Sequence, residues 1–393
     1  MKKRWGIRSV FSFLTAGVIA VGAVCPVKAE SLADYSEKLH VMYEIAEVKA
    51  VDEASSYQVE WIQAEKEKTE QALLHSEIVS ETLDAFGLRI ETKSNGTEEL
   101  LYLLDGGKSI GLDSSESGGI IYYCLKKDGK EIPMYSSQIN VFPGHPGSTE
   151  QLIGDTSCAD FSLDKELEFA DRTQTADDMK KLLENIGGID LEISRIYSLD
   201  RKTLQEHAEQ RQERKAIERE AEESDYTENG TEEFTEEKMA EAEAYLIQLR
   251  QVVDGIPLAD HCWTNETRPM ATEMCAQAIV SEDCLEHAEI ISAVTIKQEA
   301  AKSQLISPQE AESIYLEELK KTILVSDLYV ENLELNYVVV QNGKQLEMIP
   351  AWIFCIAKEV KTDPVEPEGK DTVLMYDHMV INAETGERIL NVK

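Results

Sequence analysis

Along this chain the spacing of hydrophobic and polar positions changes several times, and each change marks an element. Near the start Leu39, Val41, Tyr43 and Ile45 stand at every second position, as a half-buried strand requires. A polar helix is expected around residues 64–79, followed by short strands broken at Asn95-Gly96, Gly106-Gly107 and Gly118-Gly119. The period lengthens after Thr175. With Thr175 as N-cap and Asp178 at N3, Met179, Leu182, Leu183 and Ile186 fall on one helical face. Gly187-Gly188 ends that helix, and Ile189 to Leu199 reads as extended chain. Tyr245 to Val253 is a further strand, closed by Asp254-Gly255-Ile256-Pro257.

The last third carries the plainest signals. Ser307-Pro308-Gln309-Glu310 places a capping hydroxyl, a proline at N1 and a capping-box acid at N3, ahead of a buried stripe of Ala311, Ile314, Tyr315, Leu319 and Ile323. Tyr329 to Val340, a turn at Asn342-Gly343, Leu346 to Val360, a loop with prolines, Thr372 to Ile381 and a turn at Thr385-Gly386 then predict a four-stranded antiparallel meander. One helix laid across such a sheet buries a face of each, so the predicted fold class is α+β, helices packed on antiparallel meander sheets. Residues 151–300 repeat the order of helix and then strands, which makes 151–300 and 301–393 candidate diverged copies after an N-terminal α+β module at 30–150. Within the middle module, residues 202–243 are almost entirely charged. They cannot bury a face and read as an insertion, either a solvated helix or disordered.

Charge narrows the partners. Asp and Glu number 75 against 39 Lys and Arg, a formal net charge of −36, which sets nucleic acid aside. The first 29 residues run the other way: Lys2, Lys3, Arg4 and Arg8 precede an uncharged run from Val10 to Val24, and Val27-Lys28-Ala29 supplies small residues at −3 and −1. This predicts a signal peptide over 1–29 cleaved after Ala29, with a retained anchor as the alternative. Lipidation at Cys25 is disfavoured by Val24 before it. The expected product is extracytoplasmic, secreted or cell-surface associated, with no stable membrane span after cleavage.

An oxidising compartment permits disulfides, and Cys262, Cys275 and Cys284 are the candidates, whereas Cys355 in Ala-Trp-Ile-Phe-Cys-Ile reads as core. His261, Cys262, Cys275, Cys284 and His287 contain soft metal ligands, but the long unequal gaps are not those of a zinc ribbon or finger, so no metal and no cofactor is assigned. Leu104 to Ser109 ends like a phosphate loop yet has Tyr102 where the first glycine must stand, and reads as a β-turn. Asp113 to Gly118 opens like a calcium loop, but its twelfth position is Cys124. Asp177-Asp178 is one acid pair among many, His145 lies in a tight Pro-Gly loop, and no nucleophile signature is present, so no catalytic residue is named.

Pro350-Ala351-Trp352-Ile353-Phe354, with Ile381-Asn382-Ala383-Glu384-Thr385-Gly386-Glu387, resembles the closing meander of PepSY-like modules. It is similar, too, to extracytoplasmic regulators that attend a cell-wall two-component kinase in Gram-positive bacteria. Val253-Asp254-Gly255-Ile256-Pro257 resembles the matching strand end of the preceding copy. The resemblance covers 151–393 and implies a fold and a place outside the membrane. Its motifs are turns and core anchors. The chain departs from those regulators in the charged insertion after Thr203 and in lacking a clear transmembrane anchor. The expected function is non-enzymatic: binding or regulating an envelope protein or peptide, with sheet edges of the last two modules as contact surfaces. The alternatives are a secreted hydrolase of wall polymer or peptide, using Asp or Glu with His145, His261 or His287, and a structural spacer built on the charged block.

Overall fold

Local chemistry sets the helix that organises the C-terminal half. Ser307 accepts from the Glu310 amide while the Glu310 carboxylate accepts from the Ser307 amide, and Pro308 occupies the first turn, where its missing N–H costs nothing. In the computed structural model, residues 32, 35–63, 65–73, 80–82, 101–105, 108–113, 119–124, 126–127, 130–131, 161–206, 209, 242–259, 264–265, 268–269, 275–290, 293–342, 345–361 and 372–389 are described. Strands β1 (Leu39–Val41) and β2 (Tyr57–Trp61) come first, then helix α1 (Lys66–Leu73) and strands β3 (Ser80–Thr82), β4 (Leu101–Asp105), β5 (Lys108–Asp113) and β6 (Gly119–Cys124). Helix α2 (Arg172–Gly187) leads into β7 (Leu191–Leu199), β8 (Ala244–Val253), β9 (Ile256–Pro257), β10 (Ala276–Ser281) and β11 (Leu285–Ile290). After β12 (Val294–Glu299) come α3 (Pro308–Leu319) and strands β13 (Leu328–Asn342), β14 (Gln345–Lys361), β15 (Thr372–Asn382) and β16 (Arg388–Ile389).

These strands form two large sheets, antiparallel except where β1 joins β13 in parallel, and the α+β class holds. The nine-stranded sheet has the order β7-β8-β10-β11-β6-β5-β4-β3, with β9 on the end of β8. Helix α2 lies on it through Ala176, Leu183 and Ile186, against Tyr245, Ile247, Leu249 and the small Ala276, Ala278 and Ala288. The seven-stranded sheet runs β1-β13-β14-β15-β16 and adds β2 and β12. Here α3 buries Ala311, Tyr315, Leu316 and Leu319 against Trp352, Phe354, Leu333 and Met379. The Tyr315 and Phe354 rings stack at 4.6 Å, and the Trp352 indole donates to the Ile306 carbonyl at 3.0 Å.

Pro350, in the middle of a long strand, marks a change of neighbour. Leu346 to Met348 of β14 pair with β2 and Ala351 to Lys361 pair with β15 on that same edge, so Pro350 stands in the gap where its missing N–H breaks no ladder.

Several expectations are corrected. The segments 30–150, 151–300 and 301–393 do not each carry a sheet of their own. Strands β1 and β2 join the α3 sheet and β3 to β6 extend the α2 sheet, while β12 crosses from the middle segment to pair with β2. The α2 helix starts earlier than Thr175. Asp171 is its N-cap, accepting from the Gln174 amide, and the Thr175 hydroxyl donates back to the Asp171 carbonyl. Gly188 ends it in the left-handed conformation, φ 64°. Ile323 is not part of the buried stripe, because α3 stops at Leu319. The first strand is shorter than its alternation, since Ile45–Glu47 turns into a 3₁₀ helix. The expected helix at 64–79 is seen as Lys66–Leu73, and 74–79 lie outside the described residues, as do 210–241 of the charged block. Among the described residues no helix is long and apolar enough to cross a membrane.

Candidate functional site

Strand β8 carries the wiring between the two sheets. Its alternate residues Tyr245, Ile247 and Leu249 face α2, which leaves Leu246, Gln248 and Arg250 on the opposite face. Arg250 donates through Nε to Glu192 Oε1 at 2.5 Å and through its two terminal nitrogens to both Glu334 oxygens, at 2.9 and 2.7 Å. Glu192 is its cross-strand neighbour on β7, and Glu334 belongs to β13 of the other sheet. A planar guanidinium can grip one carboxylate with a fork and a second along its side, which a lysine cannot.

The next residue adds a second tie. The Gln251 side-chain amide donates to the Val294 carbonyl at 2.8 Å and accepts from the Val294 amide at 2.9 Å, taking the place of a strand residue at the start of β12. Asp254 and Gly255 both have positive φ, 50° and 79°, the left-handed pair of a two-residue hairpin turn between β8 and β9. That turn offers the Asp254 carboxylate to the Tyr57 hydroxyl, which donates to it at 2.5 Å. Burial, reinforced by this bond, pushes the Tyr57 hydroxyl up to about 12. The Tyr337 ring meets Tyr57 edge-on at 5.6 Å and its hydroxyl donates to the Ser55 carbonyl at 3.0 Å. Burial raises the Tyr337 hydroxyl as well. Finally, the Ala259 amide donates to the Tyr337 carbonyl at 2.8 Å. Chemically this constellation holds the sheets in one relation: each carboxylate meets a donor within bonding distance.

The sequence-predicted site residues fall elsewhere. His287, on β11, places Nε2 3.3 Å from Glu289 Oε2, while Gln277 donates to the other Glu289 oxygen. A carboxylate beside an imidazole is how a general base is oriented, but the His287 side chain is 2% exposed and is shut away from a solvent-borne substrate. His145, His261 and Cys262 lie outside the described residues, as does the cleavage position Ala29. Cys275 precedes β10 and its thiol donates to the Leu249 carbonyl at 3.6 Å, whereas Cys284 sits in the turn after β10. The strand between them spans about 20 Å, far beyond the roughly 7 Å limit for bridged Cα atoms, so these two of the three candidates cannot bond to each other. Among the described residues no three His, Cys, Asp or Glu side chains converge as a metal cage. Residues 106–107 and 114–118, at the phosphate-like and calcium-like loops, lie outside the described residues; of their flanks, Asp105 opposes Lys108 and Asp113 opposes Gly119 in antiparallel strands.

Sheet edges remain as surfaces for a partner, and two of them differ. Strand β12 is exposed from Thr295 to Glu299, is bulged between Ile296 and Gln298, and carries Lys297 ion-paired with Glu60. Bulges and lysines are devices that blunt an edge. Strand β15 has neither. Its register with β14 runs unbroken from Ala351–Asn382 to Lys361–Thr372, and β16 covers its outer side only at Val380 and Ile381. The Ala383 amide bonds to the Pro350 carbonyl, which fixes the phase: odd-numbered residues of β15 turn their N–H toward β14, and Leu374, Tyr376 and His378 turn theirs outward. The His378 amide accordingly donates to its neighbour Asp377 Oδ1 at 2.8 Å rather than to a strand. Among the described residues no strand pairs with Thr372 to Met379 on that side, a length of about 27 Å at ~3.4 Å per residue.

None of Arg250, Gln251, Tyr57 or Glu334 is singled out by motif. A lone arginine within the apolar run Tyr245 to Val253 is the signal that could have flagged the first. No protein-family model matches the chain, and no curated protein matches it. Among solved structures the chain is similar to an uncharacterized protein from Eubacterium rectale, with a TM-score of 0.57 and 15% identity, covering 91% of this chain and 92% of that one. At that identity the likeness is one of fold.

Proposed function

We propose that the chain is a non-enzymatic bacterial protein acting outside the cytoplasm, which binds an extended segment of an envelope protein, or a peptide, by strand addition to the outer edge of β15. The observation that carries this reading is that edge: long, in unbroken register, without lysine, proline or bulge over Thr372 to Met379, and backed by the core beneath α3. Main-chain donors and acceptors there supply affinity for any extended chain, and alternate side chains supply selectivity. The ties at Arg250, Gln251 and Asp254 support a binding protein with a pre-organised shape. We read α2 with β7, β8, β10 and β11, and α3 with β13 to β16, as diverged PepSY-like copies, since each is a helix followed by a four-stranded antiparallel meander. The basic n-region, the apolar run Val10 to Val24 and Val27-Lys28-Ala29 support export.

Crosslinking in intact cells tests the reading, comparing the wild-type chain with Leu374→Pro. Proline there removes one outward N–H and leaves the bonds to β14 in place, which an edge strand tolerates. A defined envelope polypeptide crosslinked by the wild type and lost with Leu374→Pro, at unchanged circular dichroism, is the expected result. Equal capture by both chains contradicts it.

A further inference from the structure

The open edge of β15 is not bare along its whole length. Its last outward amide before β16, that of His378, donates to the carboxylate of the preceding residue, Asp377 Oδ1, at 2.8 Å. At this one position a side chain stands where the carbonyl of a neighbouring strand would be, and an incoming backbone must displace it. Asp377 is itself exposed, and among the described residues it has no ion-pair partner. Arg388 of β16, at the same end of the edge, is turned to Glu318 at 4.0 Å, a carboxylate that Lys321 also reaches.

Placement fixes where a partner for that carboxylate would stand. Met379 and Ile381 belong to the core beneath α3, and side chains alternate along a strand, so Asp377 lies on that same face. Burial first, and the Asp377 charge next, raise the Tyr315 hydroxyl of α3, which sets the carboxylate where the α3 face meets the edge. In an added antiparallel strand, the residue that bonds to His378 is followed by one directly opposite Asp377. That pair is not hydrogen-bonded through its backbones, and its Cβ atoms are about 4.5–5.5 Å apart. An ammonium or guanidinium group there reaches the carboxylate, whereas a second carboxylate is repelled. The field of the whole chain acts in the same direction, since −36 draws a basic segment and repels an acidic one.

Resting on strand addition at β15, we infer that the extended segment it takes is basic, with a lysine or arginine opposite Asp377. As a carbonyl of the segment takes the His378 amide, the Asp377 carboxylate leaves that amide and pairs with the cation. Asp377 is thus a placeholder on the free edge and a charge selector on the occupied one.

The test is selection of displayed random heptapeptides on the full chain at low salt, run in parallel on Asp377→Asn and Leu374→Pro. Asparagine can still accept from the His378 amide, so that variant removes the charge alone. Lys and Arg enriched about fivefold at a single peptide position, the upper range of an exposed ion pair, are expected with the wild type. With Asp377→Asn that position falls to the level of its neighbours, and with Leu374→Pro capture falls to background. Enrichment unchanged by Asp377→Asn, or basic residues spread evenly over all positions, overturns the inference and leaves strand addition standing if Leu374→Pro abolishes capture. No capture by the wild type, or equal capture by Leu374→Pro, removes strand addition and the inference with it.

Discussion

The two helix-on-meander units share a plan and differ in how they fill it. Beneath α3 the core is built from large rings, Trp352, Phe354, Tyr337 and Tyr315, on strands of 15 and 17 residues. Beneath α2 the small Ala276, Ala278 and Ala288 alternate with Tyr245, Ile247 and Leu249, on strands of six to ten residues, and the far face of that sheet buries Gln248, Gln277 and His287. Small residues let a helix lie close to a sheet but bury little apolar area per residue, so the α2 unit draws more of its definition from directional bonds. The α3 unit is the hydrophobic anchor, and β8 ties the α2 unit to it.

That contrast can be broken from its strong side first. Trp352→Ala removes the largest fully buried ring among the described residues together with its bond to Ile306, and should cost about 3–5 kcal/mol in denaturant unfolding. Arg250→Ala should cost less, about 1–2 kcal/mol, because Glu192 and Glu334 are partly exposed and water recovers some of the lost partner. Its signature is loss of cooperation between the sheets: the unfolding transition broadens or splits, whereas Trp352→Ala shifts it whole. Ser307→Ala removes the α3 N-cap and should cost about 1 kcal/mol, within the α3 unit alone. In acid, Glu310 adds to this effect. Bonds from the Ser307 amide and hydroxyl hold its carboxyl below the ordinary range, so its contribution is present above that range and is lost as pH falls through it.

The smallest expected effect lies at the junction in alkali. Burial and the bond to Asp254 raise the Tyr57 hydroxyl to about 12, so its contribution is complete below the ordinary tyrosine value and is lost as pH rises from about 10 to about 12. Tyr57→Phe should therefore flatten part of the alkaline fall in stability, as followed by fluorescence across that window. An unchanged profile would place the alkaline loss on other buried tyrosines, Tyr337 among them.

How much of this could be read beforehand follows from the range of the interactions. Helix α3 and its meander were legible because cap, proline, stripe and turns all act within a few residues. The start of α2 was missed by one turn because Arg172-Thr173-Gln174 is polar and shows no apolar period, and Asp171 caps as well as Thr175 would. Ile323 continued the spacing of Leu319 by four, but the helix ends first and the residue is turned out to solvent. The pairing of Leu39–Val41 with Leu328–Val330, and of Tyr57–Trp61 with β12 and β14, joins residues hundreds apart and leaves no local trace. The Arg250–Glu334 tie is hidden for the same reason, and the open edge of β15 is a property of the assembled sheet.

That edge is the centre of the functional reading, and backbone amide exchange in the free protein probes it most directly. The account predicts alternation along β15: Val373, Met375 and Asp377 protected by β14, with Leu374 and Tyr376 exchanging orders of magnitude faster. Uniform protection from Thr372 to Met379 would mean that the edge is already covered, and would contradict strand addition there.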